Sequence, residues 1–219
     1  MNSIVDVLAS QGVIPLFCDT DPVRATKILN SCHKAGVKLI EFTIRAPQAI
    51  DVFAELLRYA SENVPDMILG VGSVMDRAAA VKTIEADAKF IVSPAFDAKV
   101  CQVAKENNIP YVPGCYSPTE MHHAMQSGAA MCKLFPAGAI DGPGFVKAIL
   151  GPMPTLQIMA TGGVSPTREN LSKWFASGVT CVGMGSKLIN TAKLNTDTDF
   201  ENLENQITEL LALVAEIKG

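Results

Sequence analysis

MCKLFP (131–136), LQIMATGG (156–163) and TCVGMGS (180–186) are short apolar runs closed by Pro, Gly or Ser. Runs of this length bounded by turn residues read as buried strands, and each is followed by a helical pattern. Towards the N-terminus the same unit recurs as GVIPLF (12–17), LIEFTI (39–44), MILGVG (67–72), FIVSP (90–94) and YVPGC (111–115). After YVPGC, the run Ser117-Pro118-Thr119-Glu120 supplies an N-cap, a proline at N1 and a capping-box glutamate. The last helix carries Phe200, Leu203, Ile207, Leu210, Leu211 and Val214 on one stripe, with a capping-box-like start at Thr198 to Glu201. Eight strand–helix units in 219 residues predict the α/β class and a (β/α)8 TIM barrel, with residues 1–219 as a single domain. A doubly wound open sheet is the alternative, which the count of eight disfavours.

Composition narrows the function classes. A hydrophobic fraction of 48% with 18% charged residues suits a globular chain with a large core. The net charge of −4 provides no field for nucleic acid or an anionic membrane, so an anionic ligand needs a local site. The six cysteines (18, 32, 101, 115, 132 and 181) include no CxxC pair and fit a reducing compartment. MNSIVDVLAS (1–10) lacks a basic leader and carries Asp6, and no apolar run reaches bilayer length, so a cytoplasmic location is expected. His33, His122 and His123 lie on helix-like segments without an HxH or HExxH pattern, which argues against a histidine-ligated catalytic metal.

The barrel directs attention to the C-terminal ends of its strands, where chemistry sits in this fold. In MCKLFP, alternation puts Met131, Lys133 and Phe135 on one face. An ammonium inside a barrel is poorly solvated, so its pKa falls and its nucleophilic fraction grows, as a Schiff-base lysine requires. The structural alternative is a lysine that snorkels out of the strand end. In LIEFTI, Glu41, Thr43 and Arg45 share a face, with Arg45 about 13 Å further along than Glu41 at about 3.3 Å per residue. Glu41 can shuttle protons near Lys133, and Arg45 at the rim can hold a carboxylate bidentately. A purely structural ion pair is the competing explanation, and buried pairs of that kind stabilise weakly. Thr161-Gly162-Gly163 and Gly183-Met184-Gly185-Ser186 end strands seven and eight, where glycine N–H groups can cradle a phosphate. Tight turns alone would also explain either glycine pair.

EFTIR (41–45), GVGSV (70–74), IVSP (91–94), KLFPA (133–137), TGGV (161–164) and VGMGS (182–186) occur in that order. Together they make the chain resemble, along its whole length, the 2-dehydro-3-deoxy-phosphogluconate / 4-hydroxy-2-oxoglutarate aldolases. The resemblance implies a metal-free class I aldolase, without a cofactor, that cleaves a 2-keto-3-deoxy-6-phosphosugar acid to pyruvate and glyceraldehyde 3-phosphate. It also implies a homotrimer. Residue by residue, Lys133 matches the Schiff-base lysine and Glu41 the general acid/base. Arg45 and Ser73 match contacts to the pyruvoyl carboxylate, and Phe135 and Thr161 match residues lining the reacting end. Pro94 matches a residue shaping the pocket, while Gly162, Gly163, Gly185 and Ser186 match the phosphate site.

The chain departs from the family pattern in three places. Phe17-Cys18-Asp19 stands where many members carry an arginine, Ser73 replaces the commoner threonine, and Gly138 to Pro143 replaces a loop that often begins with an acidic residue. A uronate- or galactonate-derived substrate, or unphosphorylated 4-hydroxy-2-oxoglutarate, therefore stays open beside the phosphogluconate derivative. Two rival functions share the barrel: a phosphosugar isomerase or epimerase, which needs no lysine in strand six, and a non-catalytic phosphosugar-binding barrel, which needs neither Lys133 nor Glu41.

Overall fold

A computed structural model describes residues 3–219. The strands are β1 Val13–Phe17, β2 Leu39–Thr43, β3 Ile68–Gly72, β4 Ile91–Val92, β5, β6 Cys132–Leu134, β7 Ile158–Thr161 and β8 Cys181–Met184. Strand β5 runs in two segments, Tyr111–Val112 and Gly114–Cys115, broken at Pro113. Proline has no N–H for a ladder. Its carbonyl still accepts from the Lys133 amide at 2.8 Å, so the strand continues through the break. The first segment of β5 pairs with β4 and the second with β6, which brings the order β5-β4-β3-β2-β1-β8-β7-β6 round to β5 again. Every pairing is parallel, as the strand–helix alternation predicts. All eight predicted strands are present, and they close a barrel instead of forming an open sheet.

The helices are α1 Ile4–Gln11, α2 Pro22–Lys34, α3 Ala49–Asn63, α4 Arg77–Glu85, α5 Ala98–Glu106, α6 Pro118–Ser127, α7 Gly142–Leu150, α8 Arg168–Ala176 and α9 Asp197–Lys218. No helix among the described residues is long and apolar enough to cross a membrane. Helix α6 starts as its sequence predicts, with the Ser117 hydroxyl accepting from the Glu120 amide. Helix α9 does not: its N-cap is Thr196, and the capping box pairs Thr196 with Asp199 in place of Thr198 with Glu201. The Asp199 carboxylate accepts from the Asn195 and Thr196 amides together, which Glu201, two residues further in, does not do.

Alternation along the strands separates two apolar layers. Outward-facing residues such as Ile40, Phe42, Cys132 and Val182 pack beneath the helices. Inward-facing Ile14, Leu39, Phe90, Met131, Met159 and Cys181 fill the N-terminal half of the barrel. Helix α1, which precedes the first strand and was not anticipated, closes this end by inserting Leu8 into the inner layer. Gln11 at its end bonds the strand starts on both sides. Its amide donates to the carbonyls of Val13 (2.7 Å) and Leu39 (2.9 Å), and its oxygen accepts from the Lys38 and Leu39 amides. Two residues further along the same inward faces, Leu39 gives way to Glu41, Met131 to Lys133 and Met159 to Thr161. The barrel interior is thus apolar at one end and polar at the other.

Candidate active site

Lys133 sits mid-strand in β6 and is 6% exposed. Its Nζ lies 3.8 Å from Oε1 of Glu41 and 5.3 Å from the centroid of the Phe135 ring. Burial holds the ammonium below the ordinary lysine range, and the nearby Arg45 charge pushes the same way. The Glu41 carboxylate opposes both, and the net shift is downward. A larger share of Lys133 is consequently the neutral amine, the form that can attack a carbonyl.

Glu41 is 1% exposed on the inner face of β2. Neither of its carboxylate oxygens accepts a hydrogen bond from any described residue. Gly72 on the neighbouring β3 makes its place, since a Cβ there would overlap the carboxylate. A buried carboxylate without donors is a cost that stability alone does not explain.

Arg45 lies two residues beyond the end of β2, exposed at the barrel mouth, where its distance along the strand from Glu41 predicts it. Ser73 follows Gly72 directly and holds φ at +67°, a left-handed conformation that a residue with a side chain rarely takes. Its position beside Gly72 brings it to the strand end next to the Glu41 pocket. Pro94 and Phe135 line a cavity with Gly114, Phe96 and Tyr116. A Cβ on Gly114 would strike the backbone of Pro94, so the two strand ends touch.

Phe135 also lines a second cavity of about 350 Å³, with Arg45, Thr161, Gly162, Gly163, Gly185 and Ser186 on its wall. Seven of the predicted residues therefore share one cavity. Lys133 and Glu41 lie beneath it: Phe135 and Thr43 on the wall stand two residues above them on the same inward faces. Gly162 and Gly163 both hold φ at +85°, open to glycine without strain. Gly163 and Gly138 pack backbone to backbone, which leaves no room for a Cβ on either. The Thr161 hydroxyl is buried without a partner among the described residues and faces Gly183, where a Cβ would collide with it.

No histidine among the described residues lines the 350 Å³ cavity, although His123 borders the one shared by Pro94 and Phe135. His33 pairs with Asp66 at 2.8 Å, and His122 and His123 are exposed on α6. Among the wall residues that sequence reasoning did not assign to the site are Thr43, Cys18 and Lys187. Thr43 could have been found, since it shares the inward face of Glu41; its hydroxyl donates to the Phe17 carbonyl at 3.2 Å. Lys187 follows directly on the GMGS run, a basic residue next to a glycine-rich strand end. Cys18 lies, with Phe17, in the segment that stands where many family members carry an arginine, and both line the wall.

Residues 4–206 match the family model described as "Aldolase: KDPG and KHG aldolase". The chain is 31% identical to the 2-dehydro-3-deoxy-phosphogluconate aldolase of Pseudomonas aeruginosa over 97% of its own length and 94% of that protein. It is 30% identical to the KHG/KDPG aldolase of Escherichia coli K12, covering 86% of this chain and 85% of that one. Among solved structures it is similar to the KDPG aldolase from Legionella pneumophila, with a TM-score of 0.80, 26% identity and 98% coverage of both chains. That enzyme holds pyruvate captured as a covalent carbinolamine intermediate. The chain belongs to the KDPG and KHG aldolase family.

Proposed function

We propose that the chain cleaves 2-dehydro-3-deoxy-6-phosphogluconate, or a close 2-keto-3-deoxy sugar acid, to pyruvate and an aldehyde through a Schiff base on Lys133. Membership of the family makes it an aldolase, a carbon–carbon lyase. The observation that carries the residue assignment is a buried lysine of lowered pKa, 3.8 Å from a buried carboxylate with no donor of its own. A non-catalytic binding barrel needs neither residue, and an isomerase needs no lysine in the sixth strand.

In the proposed reaction the neutral Lys133 amine adds to the C2 carbonyl, and the carbinolamine loses water to give an iminium. Glu41, through a water, accepts the C4 hydroxyl proton as the C3–C4 bond breaks. The bonding pair moves into the iminium, leaving an enamine on Lys133 and releasing the aldehyde. Protonation at C3 and hydrolysis return pyruvate and the free lysine. Arg45, with the Ser73 hydroxyl, takes the C1 carboxylate at the mouth. Phe135 and Pro94 wall the pyruvoyl end, and Thr161 lies at the reacting centre. Gly162, Gly163, Gly185 and Ser186 hold the distal phosphate. Water and the lysine supply the chemistry, so the reading uses neither metal nor cofactor.

The same reading takes residues 1–219 as one catalytic domain, working as a homotrimer in the cytoplasm. The family resemblance supports the trimer, and the six free thiols suit a reducing compartment. A coupled lactate dehydrogenase assay tests the reaction. Pyruvate released stoichiometrically from 2-dehydro-3-deoxy-6-phosphogluconate is the expected result. Folded protein that releases none from this substrate, its unphosphorylated counterpart or 4-hydroxy-2-oxoglutarate contradicts the proposal.

A further inference from the structure

The wall of the 350 Å³ cavity carries two charged side chains among the described residues, Arg45 and Lys187, and no carboxylate. In a chain of net charge −4, that is a local inversion of sign. The proposed reaction uses Arg45 for the C1 carboxylate, which leaves Lys187 without a role. Lys187 follows Gly185 and Ser186 after β8, and its Nζ donates to the Ser165 hydroxyl at 2.6 Å. Ser165 belongs to the loop after β7 and is itself held, its amide donating to Asn170 Oδ1 at 2.8 Å. The contact links the loop after β8 to the loop after β7, and Gly162, Gly163, Gly185 and Ser186 of these loops line the same cavity as Lys187. Lys187 forms no ion pair with any described carboxylate, whereas Lys27, Lys38, Lys89 and Lys173 each do. Its single partner is neutral, so its charge is available to a ligand.

Glycine N–H groups and a serine hydroxyl can bond an anion, but they bring only partial charges. A phosphate ester carries about −1.5 to −2 at neutral pH, more than neutral donors offset in a half-open site. A lysine supplies the missing point charge on a stem long enough to follow the ligand.

We propose, resting on the aldolase reading above, that Lys187 is the side-chain cation of the distal subsite and selects substrates ending in a phosphate over those ending in a hydroxyl. The test is Lys187→Gln, read first by ³¹P NMR titration of the intact protein with inorganic phosphate. Phosphate affinity should fall about tenfold, the size of one charge-assisted hydrogen bond. The second readout is the ratio of kcat/KM for 2-dehydro-3-deoxy-6-phosphogluconate to that for its unphosphorylated counterpart. That ratio should also fall about tenfold, and a misfolded fraction cannot move it, since it lowers both values alike. Lys187→Arg should retain most of both. An unchanged phosphate affinity, or an unchanged ratio, overturns the proposal. Pyruvate trapping on the unsubstituted protein tests the aldolase reading separately, because phosphate titration needs no turnover.

Discussion

Lys133 Nζ and Glu41 Oε1 stand 3.8 Å apart, both buried, one on β6 and the other across the barrel on β2. The separation is too long for a hydrogen bond yet short enough for a strong Coulombic coupling in a poorly hydrated interior. Burial lowers the lysine pKa and the carboxylate charge pulls it back up, so the pair sets how much neutral amine is present. The gap leaves the carboxylate unlocked, free to serve a water or a substrate hydroxyl.

Glu41→Gln keeps the shape and removes the charge. Turnover should fall about 10²- to 10⁴-fold, the range for a lost general base. The direction of the pH effect follows from the opposing influences on Lys133. Without the carboxylate, its pKa drops further, the neutral amine persists at lower pH, and the acid limb of pyruvate adduct formation shifts to lower pH. An acid limb that stays put, or moves upward, contradicts the coupling.

Gly163→Ala tests the distal loop. The residue sits at φ +85° and packs on Gly138 with no space for a Cβ. The substitution should cost about 1–3 kcal/mol of stability, seen as a lower urea midpoint at unchanged m-value. A loss below about 0.5 kcal/mol would mean that the loop relaxes freely and the glycine is not a packing requirement.

Leu8→Ala separates the two ends of the barrel. Leu8 is buried in the inner apolar layer, opposite the end where Lys133 and Glu41 lie. Its truncation should destabilise by about 2–5 kcal/mol, while kcat per folded molecule stays within about twofold, well under 1 kcal/mol of activation energy. Urea denaturation and active-site-titrated kinetics give the two numbers. A large drop in kcat with little loss of stability would contradict the division into a structural bottom and a chemical top.

What could be read without coordinates follows from periodicity. The eight strands were legible because each is a short apolar run followed by a helical pattern, five of them closed by Pro, Gly or Ser, and YVPGC already contained the proline that splits β5. Glu41 and Lys133 stood out because a charged residue on an inward strand face is unexpected for stability. That they meet at 3.8 Å was not legible, since it depends on barrel closure. Helix α1 escaped because eight residues ahead of the first strand give a weak periodic signal, and their role as a plug exists only once the ring has closed. The α9 start was misplaced by two residues because Thr196 to Asp199 and Thr198 to Glu201 both have capping-box spacing, and local spacing cannot rank them. Lys187 was not singled out in the sequence, because its contact with Ser165 depends on how the loops after β7 and β8 approach each other.

The central claim is that Lys133 is the nucleophile. Borohydride reduction in the presence of pyruvate, followed by intact and peptide mass spectrometry, tests it most directly. A single reduced pyruvate adduct on the peptide containing Lys133, absent from Lys133→Met, is the predicted result. An adduct on another lysine, or none from folded protein beside a working control aldolase, contradicts it.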